Sequence, residues 1–219
     1  MGTNYQENEI SYCVNYKGQK IKPYRSNYEV PKPKSYSIRK VFGVLFTIIA
    51  AVAFIIFMSS STLLLKCGDV IGTFNNVSVY YNDGFNSCDE GRNTNIDGYI
   101  YGKKWQCVEF VRRYYKEALN HEMPEYWGDA TDYFRGHIQS GSINTERDLI
   151  QYHNGDTKPQ VNDLLVFDGG YGHVVIVTEV TETTITTISQ NIGEECLLKY
   201  SVYNDTIGSG CVGLLRLRE

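Results

Sequence analysis

Apolar and polar positions change their pattern several times along this chain. Residues 1–40 are polar, rich in Tyr, Lys, Asn and Pro, and carry no sustained apolar period. Pro31-Lys32-Pro33-Lys34 reads as an extended linker, and the whole tail is expected to be disordered. Residues 41–65 then run for 25 positions without a charge. As a helix they span roughly 37 Å, enough to cross a bilayer, so a single transmembrane helix is expected there. Past Lys66 the pattern becomes that of a folded domain, 66–219. Val77-Ser78-Val79-Tyr80 alternates as a strand does, and Asn82-Asp83-Gly84 is a turn signal. From Trp105 onward Val108, Val111, Tyr115, Ala118 and Leu119 recur at three- and four-residue intervals, which predicts a helix. A second helical stretch is expected at 129–134, and residues 136–160, without a clear period, are expected to be surface loops. The last third is rich in Val, Ile, Leu and Thr between turn residues, predicting strands at 163–167, 173–180, 183–189 and 212–217.

Helices followed by consecutive strands predict an α+β fold with N-terminal helices packed on an antiparallel sheet. Charge adds an orientation. Residues 1–40 hold eight Lys/Arg against three Asp/Glu, a balance of +5, and residues 41–219 hold thirteen against twenty-two, a balance of −9. Lys32, Lys34, Arg39 and Lys40 precede the apolar segment and only Lys66 follows closely. The positive-inside rule then makes this a single-pass membrane protein with a cytoplasmic N-terminus and an extracytoplasmic or lumenal domain. An acidic domain without a basic stripe excludes nucleic acid as the expected partner.

The six cysteines are Cys13, Cys67, Cys88, Cys107, Cys196 and Cys211, and none forms a C-x-x-C pair, so no metal site is expected. In an oxidising compartment Cys107 can stay free while Cys67, Cys88, Cys196 and Cys211 pair in one of three ways. Cys107 falls in the first turn of the expected helix. Unpaired N–H groups and the helix dipole favour an anion there, which is expected to lower the thiol's pKa and make it nucleophilic.

A thiol nucleophile needs a base, and the base needs a partner that fixes its tautomer. His121, His137 and His153 lie in polar, loop-like surroundings. His173 instead follows Gly169-Gly170-Tyr171-Gly172 and opens the apolar strand Val174-Val175-Ile176-Val177. The next strand ends Ile188-Ser189-Gln190-Asn191. Alternation puts Ser189 and Asn191 on one face, and either can accept from an imidazole N–H, Asn191 the more strongly. Donors for an oxyanion are the Cys107 N–H and the Gln106 side chain, and Arg112 is a candidate for a substrate carboxylate.

Cysteine at a helix start, Gly172-His173 on a strand and a Gln190-Asn191 strand end resemble the CHAP family of cysteine, histidine-dependent amidohydrolases/peptidases. Gly102-Lys103-Lys104-Trp105-Gln106-Cys107-Val108-Glu109-Phe110-Val111-Arg112-Arg113 is similar in particular to the amidase domain of the glutathionylspermidine and trypanothione synthetase/amidases. Asn76-Val77-Ser78-Val79-Tyr80-Tyr81-Asn82 resembles the first strand of that domain. The resemblance implies a papain-like CHAP domain, Cys107 as nucleophile, His173 as general base and acid, and no cofactor. It also implies a small peptide or polyamine-amide substrate, either a glutathionyl-polyamine conjugate or a peptidoglycan peptide. The position of Ser189 usually holds a glutamate in that family, and serine cannot supply its charge. The competing expectation is therefore a catalytically impaired domain kept as a membrane-tethered binding module.

Overall fold

The computed structural model describes residues 12–14, 17–21, 65–83, 88, 91–208 and 210–218. The expected membrane segment, 41–65, lies outside these residues but for Leu65. Among the described residues no helix is long and apolar enough to cross a membrane.

The first sheet has four strands in the order β2-β1-β3-β4. Its members are Tyr12–Val14 (β1), Lys20–Ile21 (β2), Val70–Phe74 (β3) and Val77–Tyr80 (β4). The β3–β4 hairpin turns through Asn75 and Asn76, both at positive φ, which asparagine tolerates better than most residues. The alternation read in 77–80 is observed: Val77 and Val79 are buried, and Ser78 and Tyr80 are half-buried. Two short strands in the tail were not expected, because 12–21 carries no apolar period; β1 pairs with β3 and β2 pairs with β1.

Arg92–Thr94 (β5) and Ile100–Lys103 (β6) form a two-stranded ribbon that leads into the helix α1, Cys107–Leu119. The helix begins where the spacing placed it and buries Phe110, Val111, Tyr114 and Tyr115 completely. It ends at Asn120, whose left-handed conformation lets its N–H reach Tyr115 O. The second expected helix is only a 3₁₀ turn, Ala130–Tyr133, so among the described residues one α-helix rather than several packs on the sheet.

The main sheet has eight antiparallel strands in the order β13-β12-β11-β10-β9-β14-β8-β7. Four are the expected ones, Leu164–Phe167 (β9), His173–Val180 (β10), Thr184–Ile188 (β11) and Cys211–Arg216 (β14). Leu197–Tyr203 (β12) and Thr206–Ile207 (β13) extend one edge. Ser142–Asn144 (β7) and Leu149–His153 (β8) form the other, inside the stretch expected to be loops. Their period is masked because Gln151 takes an inward position and is fully buried. There its amide accepts from Arg135 N and donates to Arg135 O. One core lies between α1 and the sheet, with Leu164, Val166, Val174, Ile176 and Ile188 among its members, and a second lies on the opposite sheet face.

Cys67 and Cys88 form a disulfide, and Cys196 is also disulfide-bonded. Cys211 is a buried free thiol, so the expected pairing of all four of Cys67, Cys88, Cys196 and Cys211 among themselves is not made. Cys107 is free, as expected.

Candidate active site

Strand β6 delivers the chain to the start of α1 at close quarters. A Cβ on Gly102 would stand 3.3 Å from Glu109 Cα, so only glycine lets the strand pass beneath the helix's first turn. Gln106 is the N-cap in extended conformation, and its side chain makes no capping bond. Cys107 is the first helical residue and is 7% exposed, at the bottom of a cleft of about 490 Å³.

His173 opens β10 opposite Phe167 of β9. The preceding Gly172 sits at positive φ where a Cβ would come within 2.7 Å of Phe167 O and 2.9 Å of Thr131 N. That close approach anchors the histidine backbone between β9 and the 3₁₀ turn. His173 and Cys107 line the same cleft, together with Gln106 and Asn191.

The partner of His173 is Ser189, with Nε2 and Oγ 2.6 Å apart. Ser189 is fully buried, and its Oγ also lies 3.3 Å from Gln190 O and 3.5 Å from Val174 O. These carbonyls accept the hydroxyl proton, so Oγ accepts from Nε2–H and leaves Nδ1 as the basic nitrogen. Asn191, expected as the orienting residue, does not hold this position. Its backbone has turned to a φ of 68°, which ends the strand alternation, and its Nδ2 donates to Gln106 Oε1 at 2.8 Å.

That bond fixes the Gln106 amide so that Nε2 is the end left over. Gln106 Nε2 is buried and has no hydrogen-bond partner among the described residues, and Asn191 Oδ1 is in the same condition. A buried donor without a partner costs about 1–3 kcal/mol. Beside a nucleophile at a helix start, such a donor suits a developing oxyanion, as expected of Gln106.

Gln190, between the two, ties the strand end to the helix. Its Nε2 donates to Gln106 O at 3.1 Å and to Glu109 Oε2 at 2.7 Å. Its Oε1 accepts from Tyr80 N at 2.8 Å and from Arg113 Nη2 at 3.4 Å. Glu109 and Arg113 pair at 2.7 Å, four residues apart on the helix and both buried. This clasp was not expected. The Glu109–Arg113 spacing is its one signal in the sequence, and such spacing ordinarily marks a solvated pair.

Arg112, the candidate for a substrate carboxylate, does not line the cleft. It is 2% exposed, and its guanidinium donates to Ile100 O at 3.1 Å, Met123 O at 3.2 Å and Glu125 O. His121 and His153 bond the carbonyls of Arg147 and Ile138, and His137 is exposed; none of them lines the cleft.

Electrostatics correct the expectation of a low thiol pKa. Burial pushes Cys107 up to about 11. The N–H groups of Val174, Val108 and Cys107 itself pull the other way, and the Asp129 carboxylate pushes up further. Burial likewise pushes His173 down to about 4, with no charged neighbour contributing. The resting pair is therefore a neutral thiol and a neutral imidazole. No cluster of His, Cys, Asp or Glu suited to a metal occurs among the described residues.

Residues 97–191 match the family model of the CHAP domain. The matched stretch contains Gln106, Cys107, His173, Ser189 and Asn191, and the match supports an amidase or peptidase hydrolase. It is to the CHAP domain as a whole, and the narrower likeness to glutathionylspermidine amidase remains a resemblance of 102–113. No curated protein matches the chain. Among solved structures it is similar to a chain described as "The crystal structure of Ly7917 with the hydrolyzing product of MDP". That similarity has 16% identity and a TM-score of 0.33, and covers 51% of this chain and 53% of the other, about half of each.

Proposed function

We propose that the protein is a membrane-anchored cysteine amidohydrolase or peptidase that cleaves an amide bond through an acyl-enzyme on Cys107. The observation that carries this reading is the buried, unpartnered Gln106 Nε2 beside the Cys107 helix start, in the cleft that also holds His173. His173 Nδ1 takes the thiol proton as Sγ attacks the carbonyl carbon. The oxyanion accepts from Gln106 Nε2 and Cys107 N–H, the latter among the N–H groups a helix start leaves free. His173 returns its proton to the amide nitrogen, the C–N bond breaks, and an amine leaves. Water then attacks the thioester with His173 as base, the C–S bond breaks, and the proton returns to sulfur.

The substrate of this reading is a peptide-type amide, a peptidoglycan peptide or a glutathionyl-polyamine conjugate. The test is mass analysis of acid-quenched full-length protein after incubation with muropeptides and with glutathionylspermidine. An acyl adduct on Cys107, absent from Cys107→Ala, is expected together with released amine.

One observation favours the second reading, a binding module. Burial pushes the thiol up and the imidazole down, so moving the proton from one to the other is uphill. Attraction between thiolate and imidazolium must offset that cost, and Ser189 contributes no charge. Retention of ligand on the intact protein without adduct or amine would establish the binding module and exclude the enzyme.

Anchoring through 41–65 is part of the proposal. A single crossing places the tail and the catalytic unit on opposite sides, whereas β1–β3 pairing requires them on the same side. The two exclude one another in one chain. Protease protection of the tail in sealed vesicles decides: tail and domain cut from opposite faces support the crossing, and both cut from one face refute it.

A further inference from the structure

Residues 120–129 join α1 to the 3₁₀ turn and hold neither helix nor strand. They nevertheless supply part of the Cys107 cleft wall through Tyr126 and Trp127, each 46% exposed. A segment without a ladder must satisfy its main-chain groups some other way. Here the carbonyls of Met123, Glu125 and Trp127 all accept from guanidiniums. Arg112, on α1, donates to Met123 O at 3.2 Å and to Glu125 O. Arg147, in the turn between β7 and β8, donates to Glu125 O at 2.6 Å and to Trp127 O at 3.1 Å. Glu125 O is thus shared by arginines from two separate elements.

Further contacts aim the tryptophan. Its Nε1 donates to Glu125 Oε2 at 2.8 Å, and the guanidiniums of Arg135 and Arg147 lie 5.4 and 6.0 Å from the ring centroid. With its polar edge satisfied and its place set, Trp127 offers the cleft an apolar ring surface. Arg147 also stands 4.1 Å from the Tyr133 ring, in the 3₁₀ turn whose Thr131 abuts Gly172. One side chain therefore ties the wall to the turn that anchors His173.

Arg112 and Arg147 are 2% and 0% exposed, and neither bonds a carboxylate among the described residues. Burying such a cation is costly, and packing alone is served as well by an apolar side chain. What arginine adds is a rigid fork that bonds two carbonyls at a fixed separation. The geometry it fixes here is that of the cleft wall.

We propose that Arg112 and Arg147 are positioning residues for substrate recognition: they hold Tyr126 and Trp127 against the Cys107 cleft, where the two rings receive an apolar group of the substrate next to the scissile amide. This rests on the amidase reading of Cys107 and narrows its substrates to amides that carry such a group.

The test is alkylation of Cys107 in the full-length protein by iodoacetamide and by N-benzyl-iodoacetamide, which share a reaction but differ by one apolar ring. Each is read by mass analysis of the Cys107 peptide, and the benzyl-to-plain ratio is referred to that of free glutathione, so that changes in thiol reactivity cancel. The native ratio is expected to exceed the reference about fivefold and to return to it in Trp127→Ala. Arg112→Lys and Arg147→Lys keep the charge without the fork, and each is expected to lower the ratio at least twofold. Hydrogen exchange of the native protein, which needs no variant, is expected to protect peptides covering 123–127 as strongly as those of α1. A native ratio equal to the reference overturns the apolar subsite. A ratio indifferent to both lysine substitutions, or 123–127 exchanging as a free loop, overturns the positioning role. Either result leaves the amidase reading standing, whereas a Cys107 inert to both reagents overturns that reading and the subsite together.

Discussion

The Nε2 atom of His173 and the Oγ atom of the fully buried Ser189 lie 2.6 Å apart, just past the end of β11. A neutral hydroxyl therefore holds the tautomer of the base, and its own proton is directed at backbone carbonyls. Orientation is retained, but charge stabilisation of the imidazolium is not.

Replacing Ser189 tests that division. Ser189→Ala strands the Nε2–H without its partner, and kcat/KM is expected to drop about tenfold to a hundredfold. Ser189→Glu places a carboxylate at Nε2, and the acid limb of the Cys107 alkylation profile is expected to move up from about 4 toward neutrality. An unmoved limb in a folded Ser189→Glu protein would mean the glutamate does not reach the ring.

Burial of neutral His173 also makes stability depend on pH. Its folded pKa, about 4, lies below the ordinary ~6.5, so the unfolded chain binds the extra proton between those values. The associated stability is complete above about pH 6.5 and is lost as pH falls through about 4, on the order of 3 kcal/mol in all. Urea unfolding at pH 7.0, 5.5 and 4.5 should show a shallower loss in His173→Gln than in the native protein. Parallel losses would remove His173 as the source.

Asn191 is expected to act through Gln106. Asn191→Gly keeps the positive φ at no steric cost and removes only the amide that holds Gln106 Oε1. Losing one aligned oxyanion donor lowers kcat by roughly 10²-fold in comparable sites, with KM little changed. The Cys107 alkylation rate, which needs no oxyanion hole, should stay as it is. A loss of alkylation instead would return Asn191 to the role of His173's partner.

The clasp beneath the site is expected to matter for stability. Glu109→Gln keeps the shape but leaves the Arg113 charge buried without its counter-ion, and breaking such a pair costs about 3–5 kcal/mol. A denaturant midpoint unchanged from the native protein would show that water reaches Arg113.

By itself the sequence determined the local features. The helix starting at Cys107, the strand opened by His173 and the strand leading to Ser189-Gln190-Asn191 were legible because each rides on a short-range period or a glycine break. The hydrophobic pattern could not show which of Ser189 and Asn191 meets the imidazole, since alternation puts both on one face until the positive φ at Asn191 breaks it. Nor could it show that Arg112 and Arg113 are buried, because an arginine among apolar helix positions looks solvated until carbonyls and Glu109 surround it. Strand β8 was hidden by one inward glutamine, Cys211 stayed unpaired, and Arg92 met Lys103 only through the register of β5 and β6. These outcomes depend on which distant backbone segments lie side by side. Tertiary packing sets that choice, and periodicity along the chain does not encode it.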